Sequence, residues 1–240
     1  MGVLDLFTPA AAEWFERSFE RPTGVQELAW PAIASGDHAL ISAPTGSGKT
    51  LAAFLWGLDR IAADPWPEDR RSTRIVYVSP LKALSHDIER NLRAPQRGIG
   101  SDITVGLRTG DTPQRDRAAM LRNPPDVLIT TPESLYLMLT GKARETLRDV
   151  EAVIVDEIHS VAATKRGSHL ALTLERLEAG CSKPPQRIGL SATQNPLEEV
   201  GRFLTGPGRT CRIVDAGVRK ELDIEIRVPV DSMVEPDQGI

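Results

Sequence analysis

Short apolar runs, separated by polar stretches with helical spacing, organise this chain. Residues 38–42 (HALIS), 75–79 (IVYVS), 103–107 (ITVGL), 127–130 (VLIT), 152–155 (AVIV) and 187–191 (RIGLS) each read as a short strand bounded by turn or helix signals. A later alternation, Leu222, Ile224, Ile226 and Val228, reads as one more. Between the runs the apolar spacing is helical, as over 51–61 (LAAFLWGLDRI). Runs that stay apolar throughout suit strands covered on both sides. The pattern therefore predicts an α/β fold, a mostly parallel sheet with helices on both faces. Residues 62–74 (AADPWPEDRRSTR) read as a polar, proline-containing surface loop, and 231–240 as the start of a linker after a domain spanning 1–230. Trp14, Phe15 and Phe19 follow Phe7-Thr8-Pro9 on a helical stretch and are expected to pack in the core, not to stack on a ligand.

In such sheets the working residues lie at the carboxyl ends of the strands. After the first strand comes Ala43-Pro44-Thr45-Gly46-Ser47-Gly48-Lys49-Thr50, and then a helix. This is the P-loop arrangement, with Ala43 where the strict pattern has Gly. Gly46 and Gly48 let the backbone curl so that N–H groups of Thr45 to Lys49, including that of Ser47, point at an anion. The helix opening at Lys49 adds its partial positive charge; the Lys49 ammonium suits the β/γ-phosphates and the Thr50 hydroxyl suits Mg²⁺. The stretch predicts binding of a nucleoside triphosphate. Upstream, Thr23 can cap a helix carrying Gln26, whose amide pairs a donor with an acceptor and suits the N6/N7 edge of adenine.

Asp156-Glu157 ends another strand. A carboxylate at Asp156 can complete a Mg²⁺ shell, and Glu157 can orient or deprotonate a water. His159 has no second His or Cys at ligand spacing, so a coupling hydrogen bond to another strand end is the better reading.

Composition narrows the setting. The 240 residues are 40% hydrophobic, enough for one sizeable core, and the formal net charge of −4 gives no global positive field. Cys181 and Cys211 are far apart and outside any C-x-x-C pair, which points to a reducing compartment and inert thiols. There is no secretory signal, no myristoylation pattern and no apolar stretch approaching the ~18 residues of a membrane span. The expectation is a cytoplasmic protein without a membrane partner.

The order Gln26, APTGSGKT, SPLKAL, TTPES, DEIH and SAT resembles the first RecA-like motor domain of superfamily 2 DExH helicases. LAWPAIASG at 28–36, KRGSHL at 165–170 with ALTLERLE, and LSATQNPLEEVGRFL are similar to the Lhr (large helicase-related) group, and the resemblance covers roughly residues 7–230. It implies an ATP-dependent motor that moves along single-stranded DNA and unwinds duplexes or hybrids. On that resemblance Gln26 reads adenine, Lys49 and Thr50 hold phosphate and Mg²⁺, Asp156 completes the metal shell and Glu157 activates water. Ser191 and Thr193 then link hydrolysis to the strand track.

Contacts to nucleic acid can also be argued physically. Thr131-Pro132-Glu133 supplies an N-cap, a proline at the first helical position and an acid in the first turn. The free N–H groups there and the Thr130 and Thr131 hydroxyls can bind a phosphate, as can the N–H groups beside Lys82. Arg108-Thr109-Gly110-Asp111 resembles a further strand-contact motif of these motors, and Arg166-Gly167 another. Between 82 and 122 the basic residues Lys82, Arg90, Arg93, Arg97, Arg108, Arg115, Arg117 and Arg122 outnumber Asp87, Glu89, Asp102, Asp111 and Asp116 by three. That surplus is modest and by itself describes an ordinary solvated surface. Contacts to the backbone fix position without reading sequence, so the expectation is sequence-tolerant binding to single-stranded DNA or a DNA/RNA hybrid. Nothing after Thr193 resembles a second motor domain or a G-R-x-x-R stretch, so the expectation is either part of a longer protein that carries the second motor domain or a stand-alone domain that borrows a partner. The alternative is a non-motor ATP-binding module that grips nucleic acid or protein without turnover.

Overall fold

The computed structural model describes residues 2–67, 72–80, 82–99, 102–193 and 195–217; side chains at 82–87 and 89–91 are outside the description. The domain limit at 230, the strand expected over 222–228 and the linker from 231 fall outside the described residues.

Seven strands form one sheet: β1 Ala39–Ser42, β2 Ile75–Val78, β3 Val105–Arg108, β4 Val127–Thr130, β5 Ala152–Val155, β6 Gln186–Ser191 and β7 Arg212–Asp215. Their order is β3-β4-β2-β5-β6-β1-β7, and every pairing is parallel. The register aligns the carboxyl ends: Ser42 faces Ser191, Val78 faces both Thr130 and Val155, and Arg108 faces Thr130. The segments that follow these strands therefore emerge along one edge. That alignment brings motifs up to about 150 residues apart into a single site.

Helices cover both faces, as the uniformly apolar strands require. On one face lie α1 Pro9–Ser18, α2 Gly24–Ala34, α3 Lys49–Ala63 and α4 Lys82–Ile99, in a core containing Phe15, Trp30, Leu55 and Phe54. On the other lie α6 Pro132–Leu139, α7 His159–Ala162, α8 Lys165–Gly180 and α9 Leu197–Thr205, around Leu135, Leu170, Leu174 and Leu204. The short α5 Gln114–Arg122 links β3 to β4. Thr8 caps α1 and also donates its N–H to the buried Asp59 of α3 at 3.1 Å, fixing the N-terminal segment to the P-loop helix. The aromatic residues do pack: Phe7 and Phe15 meet Trp30 edge-on at 4.9 and 5.3 Å. Phe19 lies at the margin, 42% exposed.

Two local expectations need correction. The strand β7 has no counterpart in the sequence reading, because Ile213 and Val214 alone are too short an apolar run to stand out. The stretch 62–74 is not a surface loop throughout, since Ser72, Thr73 and Arg74 are buried. Arg74 donates to both carboxylate oxygens of Glu151 and to Asp64 O at 2.6 Å, partners no local pattern announces. Among the described residues, no helix is long and apolar enough to cross a membrane. Both cysteines are free, and burial pushes each thiol up to about 11, in keeping with inert sulfur.

Candidate functional site

The loop from β1 to α3 curls through two left-handed glycines, Gly46 at φ 79° and Gly48 at φ 92°. Ala43 needs no such freedom; it is buried, its φ is not positive, and its N–H donates to Ser191 O at 3.1 Å. The departure from glycine there leaves the loop intact. From α2, Thr23 Oγ1 donates to Ser47 O at 2.8 Å, and Gln26 Nε2 to Gly48 O at 3.5 Å. Gln26 Oε1 accepts from Thr23 N at 2.9 Å, completing a capping box. Gln26 is thus a buried brace on the loop, and a Cβ at position 48 would sit 2.8 Å from its amide nitrogen. Phe19, Arg21, Pro22, Thr23 and Glu27 border a neighbouring cavity of about 460 Å³.

Lys49, Thr50, Asp156 and Glu157 line one cavity of about 470 Å³ with Thr45 and Gly46; its far wall is Phe54, Ile88 and Leu92. Lys49 is buried, its Nζ 3.8 Å from Glu157 Oε1. Asp156 Oδ1 accepts from Glu157 N at 2.9 Å, and Oδ2 accepts from the Tyr77 hydroxyl. Burial pushes the Asp156 carboxyl above the ordinary aspartate range, against the opposing pull of these two hydrogen bonds. Burial, reinforced by the Asp156 charge, pushes the Tyr77 hydroxyl upward too, so it remains a donor.

Glu157 is the one non-glycine residue with positive φ among those described, at 43°. Such a backbone costs on the order of 1–3 kcal/mol and is kept where the surroundings fix it. Here it turns the carboxylate between Lys49 and His159, whose Nε2 lies 3.3 Å from Glu157 Oε2. His159 Nδ1 accepts from Ala192 N at 3.2 Å, which places the ring proton on Nε2, toward Glu157. Ser191 Oγ lies 3.3 Å from the same Nδ1. A continuous polar path thus runs from the end of β6 through His159 to Glu157 and Lys49. Thr193 is exposed just beyond it.

The residues expected on the nucleic-acid side are more altered by the structure. Thr130 is fully buried and its hydroxyl donates to Arg108 O at 2.8 Å, so it ties β4 to β3. Thr131 is also buried; its hydroxyl donates to Ser134 Oγ and caps α6 through Ser134 N. Gly167 is buried, its N–H is taken by Thr164 Oγ1 at 3.1 Å, and a Cβ there would lie 2.0 Å from Val161 O. It is a close-packing glycine. Arg108 does sit at the edge, half-buried; burial and then the neighbouring Arg117 pull its guanidinium below the ordinary range. Lys82 opens α4, and its side chain lies outside the described residues. Tyr77 has no place in the sequence reading of the site, although a hydroxyl inside an otherwise aliphatic buried strand announces a need for a partner.

A parallel sheet with a P-loop after β1, and a carboxylate pair after β5 facing it, defines a RecA-like nucleotide-binding domain. The comparisons give the family. The sequence profile described as DEAD/DEAH box helicase matches residues 23–200, and the chain belongs to that family. It is 56% identical over 246 residues to the Lhr helicase/probable uracil glycosylase of Mycolicibacterium smegmatis, covering 98% of this chain and 16% of that protein. The ATP-dependent helicase Lhr-Core of Methanothermobacter thermautotrophicus is 49% identical, with 95% of this chain and 28% of the relative covered. The solved structure of Mycobacterium smegmatis helicase Lhr bound to ssDNA and AMP-PNP is similar with a TM-score of 0.88 at 54% identity, over 99% of this chain and 31% of that one. The chain thus spans less than a third of the length of these relatives.

Proposed function

We propose that this domain binds ATP with Mg²⁺ and grips a single nucleic-acid strand, as the first half of an ATP-dependent helicase or translocase. The observation that carries the reading is the single cavity in which the Lys49–Thr50 end of the P-loop faces Asp156 and Glu157. The residues suit both groups. At the loop and at the strand end before it, the buried Ser47 Oγ and Ser42 Oγ have no partner within the protein. Thr50 and Asp156 offer the hard oxygens that Mg²⁺ takes, and the bound ion would neutralise phosphate charge. Lys49 would pair with the β/γ-phosphates, and the loop N–H groups with their oxygens. Glu157 would hold the attacking water, its carboxylate oriented by His159. Gln26 keeps one amide hydrogen and one lone pair beyond its bonds to Gly48 and Thr23, which is what reading the adenine edge requires.

Turnover and unwinding belong to the longer protein, with a second motor domain closing over the γ-phosphate and an arginine from it worth ~10³–10⁵ in rate. The Ser191–His159–Glu157 path would carry strand binding to the water-activating group. The test is ATP hydrolysis by the natural protein carrying this domain, with and without single-stranded DNA. Stimulation is expected. Tight nucleotide binding with no turnover under either condition would favour a non-motor module.

A further inference from the structure

Arg166 stands where the single strand is expected to pass, yet three of its five N–H donors are already engaged within the protein, one on each nitrogen. Nε and Nη2 donate to the two carboxylate oxygens of Glu133, the second at 3.0 Å, and Nη1 donates to Pro80 O at 2.7 Å. From the first turn of α8, one planar cation thus reaches the first turn of α6 and the turn after β2. The fork geometry of the guanidinium matches this bidentate-plus-carbonyl demand, which an ammonium cannot meet. Gly167 makes the reach possible, because any Cβ there would strike the Val161 carbonyl and lift α8 away. Thr164 caps the same turn through Gly167 N.

A guanidinium neutralised at contact distance by a carboxylate is a poor attractor for a phosphate. We propose that Arg166 is a positioning residue and not a phosphate ligand: with Glu133 it braces the turn at Pro80 against the start of α6, so that this edge of the strand track is preformed. The inference rests on reading that edge as a nucleic-acid track.

The two roles predict opposite results for one substitution. If Arg166 bound phosphate, Glu133 would compete with the strand, and Glu133→Gln would tighten binding. Arg166→Gln would then weaken binding and lower the salt slope by about one charge. A brace predicts that Glu133→Gln and Arg166→Gln each weaken binding by a similar factor, roughly threefold for an exposed but bidentate pair. The double variant should be no weaker than either single one, and the salt slope should not change. Arg166→Lys keeps the charge and loses the fork, so it should behave like Arg166→Gln.

The experiment is fluorescence-anisotropy titration of a labelled oligo(dT) at several salt concentrations, using the natural protein carrying this domain and these four variants. Hydrogen exchange of the peptide covering residues 132–139 is followed in parallel without DNA, and should speed up in all four. Tightening by Glu133→Gln, a reduced salt slope in Arg166→Gln, rescue by Arg166→Lys, or unchanged exchange in the α6 peptide would each overturn the brace. Absence of oligo(dT) binding by the parental protein would instead reject the strand-track reading, and the exchange measurement would still decide whether the brace exists.

Discussion

The Tyr77 hydroxyl, fully buried in β2, donates its hydrogen bond to Asp156 Oδ2 at the end of β5. The Tyr77 ring stacks on Phe54 of α3, with centroids 4.6 Å apart. One side chain thus joins the strand end carrying the acidic pair to the helix that begins with Lys49 and Thr50.

Tyr77→Phe keeps the stack and removes only the donor, so the domain should remain folded. Asp156 then loses one of two fixed hydrogen bonds, and its oxygens are less firmly aimed at a cation. A hydrogen bond to a charged group is worth about 1.5–3 kcal/mol, so the Mg²⁺ concentration giving half-maximal binding of a fluorescent ATP analogue should rise about tenfold. Titrating Mg²⁺ at fixed nucleotide reads this directly. An unshifted Mg²⁺ midpoint would remove Tyr77 from the site.

Lys49 and Glu157 should separate binding from turnover. Lys49→Ala deletes the cavity's ammonium while leaving the loop glycines and the α2 brace in place. Affinity for the ATP analogue should fall by roughly tenfold or more with little change in thermal midpoint. Glu157→Gln can still accept from His159 but cannot take a proton. Nucleotide binding should therefore survive, while hydrolysis in the natural protein falls by ~10² or more. Parental hydrolysis by Glu157→Gln would exclude it as the group that activates water.

The Glu133 carboxyl should titrate below the 4.5 of an unperturbed glutamate, because the Arg166 hydrogen bonds favour its charged form. A depressed acid stabilises the fold at pH above 4.5, and that contribution is lost as the pH falls through the lower, folded-state value. The Glu133 side chain is 53% exposed, so solvent screening keeps the effect on overall stability small. NMR titration of the carboxyl carbon should place the midpoint below 4.5 in the parental domain and higher in Arg166→Gln. Coincident midpoints would show that the pair does not persist in solution.

Much of this was legible in the sequence because the signals are local. The P-loop declares itself by glycine and lysine spacing, six strands by uninterrupted apolar runs, and α6 by Thr131-Pro132-Glu133. Partnerships across the sheet have no local signature. Arg166 meets Glu133 only because β4 and β5 end at the same edge, on either side of β2. The same order lets Tyr77 reach Asp156 from the neighbouring strand. The Thr130 hydroxyl likewise finds its partner across the sheet, at Arg108 O, whereas that of Thr131 is used locally in the α6 cap that its own position announces. His159 is the instructive middle case. The lack of metal-ligand spacing pointed to a hydrogen bond at another strand end, and Ser191 and Ala192 lie there, but the left-handed turn at Glu157 that aims its other nitrogen could not be read from residue types.

The 240-residue chain itself should bind ATP·Mg²⁺ yet turn it over slowly. Among the described residues lining the P-loop cavity, Lys49 is the one cation, so charge developing on a transferred phosphoryl group meets a single ammonium here. An arginine supplied from an opposing domain is worth ~10³–10⁵ in such sites, and that factor is missing from this wall. Single-stranded DNA should change the rate little, because a strand can stimulate hydrolysis only by closing two domains on each other. DNA binding should be weak and should fall with added salt, with a shallow slope set by the few phosphates touched. A turnover assay on this chain, run at increasing DNA concentration and paired with sedimentation to confirm that it is monomeric, decides the question. Strong DNA-stimulated hydrolysis by the monomer would mean that the residues on this one wall already complete the site.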